Sequence, residues 1–184
     1  SLGTQGFRID GQAATNFTGV SVASAGDVNG DGFADVIVGA NFARNNGPGN
    51  SGSAYVVFGK ASGFGTVDLA ALGTQGFRMD GASGDFFAGS SVASAGDLNG
   101  DGFADLVVGV VQGNSAGRTG AGTAIVVFGK ASGFATVDVG SLGSQGFRIN
   151  GAAAENFLGI SVGPAGDVNG DGFGDLVVGA NGAD

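Results

Sequence analysis

The sequence predicts an all-β protein made of propeller blades, each of four antiparallel strands, with about 2.6 blades in 184 residues. Three observations predict this. One acidic loop starts at residues 27, 97 and 167, a constant period of 70. Each period holds four short strand signals, and no stretch has the spacing of an amphipathic helix of any length.

The strand signals of the first full period are Val20–Ala25 (A), Asp35–Gly39 (B), Ala54–Phe58 (C) and Phe77–Asp80 (D). All are rich in β-branched or aromatic residues and are bounded by glycine or Asn/Asp turns. B and C are continuous apolar runs, which suits strands covered on both faces. D alternates, Phe77 and Met79 against Arg78 and Asp80, and is expected to be an edge strand with one wet face. Thr66 to Leu72 suggests one helical turn at most.

Read along the chain, the strands run D, A-B-C-D, A-B-C-D, A-B. The expected organisation is an outer strand of a preceding blade with its connection (1–16), blade 1 (17–80), blade 2 (81–150) and the first two strands of blade 3 (151–184). Propellers take four to eight blades, so the ring is expected to be incomplete or to be completed by other chains. The opening residues Ser1 to Phe7 match Ala71–Phe77 and Ser141–Phe147, which suggests an excerpt of a longer array. In an up-and-down blade the A–B and C–D loops share one end. The B–C loops (41–52, 111–122) and D–A loops (11–16, 82–85, 152–156) share the other, with Arg44 and Arg118 among the residues that differ between repeats.

Composition narrows the function classes. The chain is 42% hydrophobic and 12% charged, enough for a sizeable core, and its 41 glycines sit at repeated places rather than in a low-complexity run. Net charge is −9, but nine of the 16 acidic residues lie in the three loops, and three divalent cations would bring the balance to −3. Seven scattered Lys and Arg make no basic stripe, so nucleic acid is not an expected partner. There is no cysteine for disulfides or thiolate metal sites. No apolar run approaches the ~18 residues of a membrane span, so membrane insertion is not expected, and no signal peptide is visible.

The loops carry the chemistry. Oxygen side chains occupy positions 1, 3, 5 and 9, and position 7 offers a backbone carbonyl. The expected ligands are Asp27, Asn29, Asp31, Phe33 and Asp35; Asp97, Asn99, Asp101, Phe103 and Asp105; and Asp167, Asn169, Asp171, Phe173 and Asp175. Alternate oxygens on a backbone bent by two glycines suit a hard cation taking six to eight oxygens, which makes Ca2+ the expected cofactor, one ion per loop. The phenyl rings at position 7 are expected to pack beneath. The pattern is not an EF-hand, since position 12 is Val38, Val108 or Val178 inside a strand rather than a glutamate before a helix. Magnesium prefers a rigid octahedron with retained waters, and zinc would want His or Cys. Three neighbouring carboxylates without a cation would repel one another. Calcium modules of this affinity class fill at extracellular rather than cytosolic concentrations, so a structural ion and an extracellular setting are expected.

These residues resemble the FG-GAP repeat of integrin α-subunit propellers and of large bacterial secreted or surface proteins. The signature is Phe17-Thr-Gly19-Val-Ser21-Val22, the loop, then Val38-Gly39-Ala40; it recurs from Phe87 (or Phe86) to Gly109 and from Phe157 to Ala180. Tyr55-Val-Val-Phe58-Gly-Lys60 and Gly76-Phe77-Arg78 resemble the bacterial version. The family's Gly-Ala-Pro is replaced by Gly39-Ala40-Asn41, Gly109-Val110-Val111 and Gly179-Ala180-Asn181, and Pro164 stands where Ser24 and Ser94 stand in the other repeats. These departures leave every expected ligand in place. The resemblance implies a calcium-binding, non-enzymatic propeller of an extracellular or cell-surface protein, bacterial in flavour, that meets a protein or glycan in adhesion. Two alternatives are a structural repeat that self-assembles by blade completion between copies, and an accessory propeller of a larger secreted enzyme.

Weaker signals have simpler readings. Gly47-Pro-Gly49-Asn-Ser-Gly52 matches a dinucleotide glycine pattern but opens no helix. Asn16-Phe17-Thr18 is a glycosylation sequon, with Phe17 expected to be a core residue entering strand A. Asp85 and Glu155, in equivalent D–A loops, are candidates for an acid pair but read as solvated turn carboxylates. The 15 phenylalanines are expected at blade-core positions.

Overall fold

The computed structural model describes residues 6–46, 49–83, 87–114 and 117–183. Its strands, in chain order, are β1 (Ile9–Asp10), β2 (Val22–Gly26), β3 (Asp35–Ala40), β4 (Ser53–Val57), β5 (Val67–Asp68), β6 (Gly76–Asp80) and β7 (Ala88–Gly96). They continue as β8 (Asp105–Val110), β9 (Thr123–Val127), β10 (Val137–Asp138), β11 (Gly146–Asn150), β12 (Leu158–Gly166) and β13 (Asp175–Ala180). The only helices among the described residues are short 3-10 turns, such as Leu69–Ala71. Among the described residues no helix is long and apolar enough to cross a membrane.

The sheets are the expected blades. Strands β2, β3, β4 and β6 pair antiparallel in sequence order, as do β7, β8, β9 and β11, while β12 and β13 form an antiparallel pair. The propeller is not closed. Inner strands β3, β4, β8 and β9 are buried almost throughout. Their alternating side chains feed two cores at once. Ala54 and Val56 of β4 face blade 2, where they meet Leu106, Val108 and Ile125, whereas Tyr55 and Val57 face Val67, Leu69 and Leu72. On β9, Ile125 and Val127 join the first of these cores, and Ala124 and Val126 join a third, with Val162, Leu176 and Val178 of the last pair. Burial on both faces is why these strands read as unbroken apolar runs. An aromatic trio, Phe58, Phe77 and Phe134, with ring centroids 4.7–6.1 Å apart, closes one end of the interface between blades 1 and 2.

Two expectations need correction. Strand D of blade 1 is not a wet edge. The two-residue strand β10, from the C–D connection of blade 2, pairs in parallel with β6 (Val137 with Met79, Asp138 with Asp80). Asp80 is 5% exposed; it accepts a 2.7 Å hydrogen bond from Ser53 Oγ and pairs with Arg78. Each repeat thus covers the outer strand of the one before it, and β5 does the same for β1. Phe17 is not a core residue: it is 60% exposed, at φ 52°, with its ring 4.8 Å from that of Phe42. At the next boundary Phe87 lies 5.0 Å from the same Phe42, so both rings sit on a B–C loop rather than inside a blade core.

Loop placement follows the up-and-down rule. Asp35, which closes the A–B loop, accepts from Gly59 N at the start of the C–D connection. At the other end, Phe87 N and Ala88 N of the D–A connection donate to Asn50 and Ser51 of the B–C loop.

Blades approach most closely at Gly39 of β3. A Cβ there would run into the carbonyl oxygen of Gly89 on β7, and Gly109 meets Gly159 in the same way at the next boundary. Gly89 itself has φ 85°, which only glycine adopts without strain. Replacing Gly39 by Ala is therefore expected to wedge blades 1 and 2 apart and to cost about 2–3 kcal/mol in chemical denaturation. Gly65→Ala, which meets nothing within 4 Å, is the control and should change stability by less than ~0.5 kcal/mol.

Candidate metal centre

Each acidic loop is folded by its own carboxylates. Asp27 Oδ1 accepts from Gly30 N (2.7 Å) and Asp31 N (3.1 Å), and its Oδ2 accepts from Gly32 N (2.8 Å). Asn29 Oδ1 accepts from Asp31 N, Asn29 Nδ2 donates to Asp31 Oδ2, and Asp31 Oδ1 accepts from Phe33 N, each at 2.9 Å. Gly30 and Gly32, at φ 73° and 87°, make the turn that lets successive N–H groups point inward at one carboxylate. The same bonds recur, within 0.1 Å, around Asp97, Asn99 and Asp101 and around Asp167, Asn169 and Asp171.

Position 9 has a different part. Asp35 opens β3 and is 1% exposed. Its Oδ2 accepts from Val28 N at 2.9 Å and its Oδ1 from Gly59 N at 2.7 Å, tying the A–B loop to the C–D connection. Asp105 makes the equivalent bonds with Leu98 N and Gly129 N, while Asp175 accepts from Val168 N. Burial holds the Asp35 and Asp105 carboxyls above their ordinary range; the N–H bonds from the neighbouring backbone oppose this, and the negative charges of the other two loop aspartates add to it. Since the folded protein then binds these protons more tightly than the unfolded chain, their contribution to stability is full below the unfolded value near 3.8 and is lost as pH rises through the folded value. A cation beside the loop would favour the charged form and oppose that trend.

The donor set fits a hard cation. All of it is oxygen, and no basic side chain neutralises it. The ion pairs among the described residues are Arg8–Asp10 and Arg78–Asp80, neither in a loop. Lys60 lines a 250 Å³ cleft with Asn29 and Asp31, yet its ammonium lies 5.1 Å over the Phe64 ring; Lys130 does the same over Phe134. The structure brings positions 1, 3 and 5 of each loop into one turn. It does not bring three acidic side chains together as a cluster: among the described residues none forms, because position 9 is engaged by the backbone.

The phenyl rings correct a further expectation. They do not pack beneath their own loop. The ring of Phe103 lies against Gly30 of the preceding loop, where a Cβ would come within 2.5 Å of its Cε1, and Phe173 lies on Gly100 at the same distance. Ala104 N donates to Asp27 O at 3.0 Å, and Gly174 N to Asp97 O at 2.9 Å. Consecutive loops therefore touch, an arrangement that the repeat pattern did not reveal; the glycine at loop position 4 was its one visible trace.

The minor candidates stay minor. Asn16 of the sequon is 7% exposed. Glu155 sits exposed in its turn at φ 59°; Asp85, and Gly47 with Pro48 of the glycine pattern, lie outside the described residues.

A model of the FG-GAP repeat matches residues 18–57, 88–127 and 158–184, and each match spans one acidic loop with the strands that flank it. The chain belongs to the FG-GAP repeat family. Among its relatives are integrin alpha-5 of Xenopus laevis, 32% identical over 184 residues, integrin alpha-PS5 of Drosophila melanogaster, 31% over 174, and human integrin alpha-IIb, 32% over 182. These alignments cover 97%, 95% and 96% of this chain and 16% of each relative, so the chain spans about a sixth of their length.

In this FG-GAP chain the position 9 carboxylate is a mechanical part of the blade whatever else it does. Asp35→Ala would orphan two N–H donors, one of them in a buried bond, and is expected to cost about 2–4 kcal/mol in urea unfolding with EGTA present. Asp175→Ala, which removes an acceptor from one N–H at an exposed site, should cost under half as much.

Proposed function

We propose that the chain is a calcium-binding, non-enzymatic propeller segment of an extracellular or cell-surface adhesion protein. The observation that carries this is the acidic loop, repeated three times with the same internal bonds and without a basic partner, in a chain similar to integrin alpha over nearly all its length. Asp27, Asn29 and Asp31, with the Phe33 carbonyl and Asp35, hold the first ion, and the corresponding residues from 97 and 167 hold the other two. The ion supplies charge neutralisation and stiffens the turn. The protein's own part is to present the oxygens and to anchor the turn through Asp35 to the C–D connection.

Adhesion follows from the likeness to the integrin alpha relatives and from the division of the blade into a uniform end and a variable one. The B–C loops differ between repeats, Arg44 in one and Arg118 in the other, and they lie opposite the calcium loops. A protein ligand is the partner this face suits. With calcium tenfold above its dissociation constant each site adds roughly 1.4 kcal/mol, on the order of 4 kcal/mol for three. Thermal unfolding in millimolar calcium is expected about 10 °C above that in excess EGTA. An unchanged melt would defeat the calcium reading.

A further inference from the structure

Calcium loops drawn as separate sites would bind independently. Here they are in contact. The Phe103 ring covers Gly30, Ala104 Cβ stands 2.5 Å from where a Gly26 Cβ would be, and Ala104 N donates to Asp27 O. Lys130 N, from the C–D connection of blade 2, donates to Val28 O at 3.0 Å. Asp27, Val28 and Gly30 are the residues around which loop 1 closes, since Gly30 N donates to Asp27 and Val28 N to Asp35. Loop 2 thus grips the backbone of loop 1 on several sides. Phe173 and Gly174 grip loop 2 at Gly100 and Asp97. Among the described residues, Gly166 and Gly170 of loop 3 meet nothing within 4 Å, unlike their equivalents in loops 1 and 2.

We infer that each acidic loop is held in its calcium-binding shape by the phenylalanine ring of the loop after it, so that each ring raises the calcium affinity of the loop before it. The inference rests on the calcium reading above and adds how the sites are regulated. With the Phe103 ring resting on Gly30, part of the ordering that loop 1 would need on binding is already done. Removing an ordering cost of this size is expected to change affinity by roughly five- to tenfold. Phe103 and Phe173 are positioning residues: their carbonyls belong to their own loop, while their rings serve the neighbour. Phe33 occupies the same loop position and is 40% exposed.

The test is calcium chloride titration of the 184-residue chain followed by amide NMR, because Gly30, Gly100 and Gly170 each donate a hydrogen bond at the centre of one loop and report it separately. In the wild-type chain Gly30 and Gly100 should titrate at lower calcium than Gly170. Phe103→Ala should raise the calcium needed by Gly30 roughly five- to tenfold. Gly100, in the mutated loop itself, should shift by less than about twofold. Phe103→Leu should recover part of the effect, and Gly65→Ala, outside the loops and meeting nothing within 4 Å, should move none of the three. Equal shifts in all loops, or a shift confined to Gly100, would overturn this role of the ring while leaving calcium binding intact. No movement of any amide in the wild-type chain would defeat the calcium reading itself and this role with it. Should Phe103→Ala unfold, Phe173→Ala makes the same comparison one repeat later, with Gly100 as the shifted signal.

Discussion

Strands β3, β4, β8 and β9 carry apolar side chains on both faces, and that sets the terms for everything else in the molecule. A sheet with two greasy faces must be covered twice, so a blade is stable only between two others, and stability becomes a sum over boundaries rather than over blades. The approach has to be close where strand B of one blade meets strand A of the next. Gly39 against Gly89 and Gly109 against Gly159 provide that closeness, and the cores on either side fill the remaining space.

Loop chemistry depends on the same boundaries. An acidic turn on an isolated hairpin would order itself only through its own Asx bonds. Here Asp35 reaches the C–D connection of its own blade, and the backbone of the turn is met by the following blade. Charge repulsion among three carboxylates is thus borne by a frame anchored at both ends. Burial of Asp35 works against its ionised form, and the two N–H bonds and any cation in the turn work for it. The loop is better regarded as a joint between blades than as an ornament at the tip of one.

How much of this was legible in the sequence depends on whether a feature belongs to one repeat or to the contact between two. Strands B and C, the loops, and the sharing of ends by alternate connections are properties of a single repeat, and periodicity with turn residues located them to within a residue or two. Strand D misled because alternation in Phe77-Arg78-Met79-Asp80 looks like solvent on one side. The solvent is replaced by Val137–Asp138 and Ser53, and Asp80 is satisfied by a hydroxyl rather than by water. Phe17 misled in the opposite sense, as an aromatic residue at a strand start whose ring lies beside Phe42 of the B–C loop rather than in a core. The Phe103 contact with Gly30 joins positions 73 apart in sequence, and no local pattern encodes it.

Identical repeats raise a last difficulty, which is how a blade finds its own neighbour. Apolar faces repeated every period are nearly interchangeable, so burial alone would let any blade dock on any other. Polar groups that need a particular partner remove this degeneracy, because a wrong neighbour leaves them buried and unpaired. Blade 1 has such a set on the face toward β1. Tyr55 donates from its hydroxyl to Gln12 Oε1 at 2.7 Å, and Asn45 donates to Tyr55 and to Ser53, which itself donates to Asp80. Blade 2 has Ile125 and Thr123 at the equivalents of Tyr55 and Ser53, and Asn150 at that of Asp80, so it lacks the hydroxyl that would meet Gln12. Docked on blade 2, Gln12 Oε1 would lose its donor, and docked under any other connection the Tyr55 hydroxyl would keep the bond from Asn45 but have no acceptor for its proton, at a cost on the order of 1–3 kcal/mol. The uniform features, glycines and acidic loops, make the blades stackable; the individual ones set the order in which they stack.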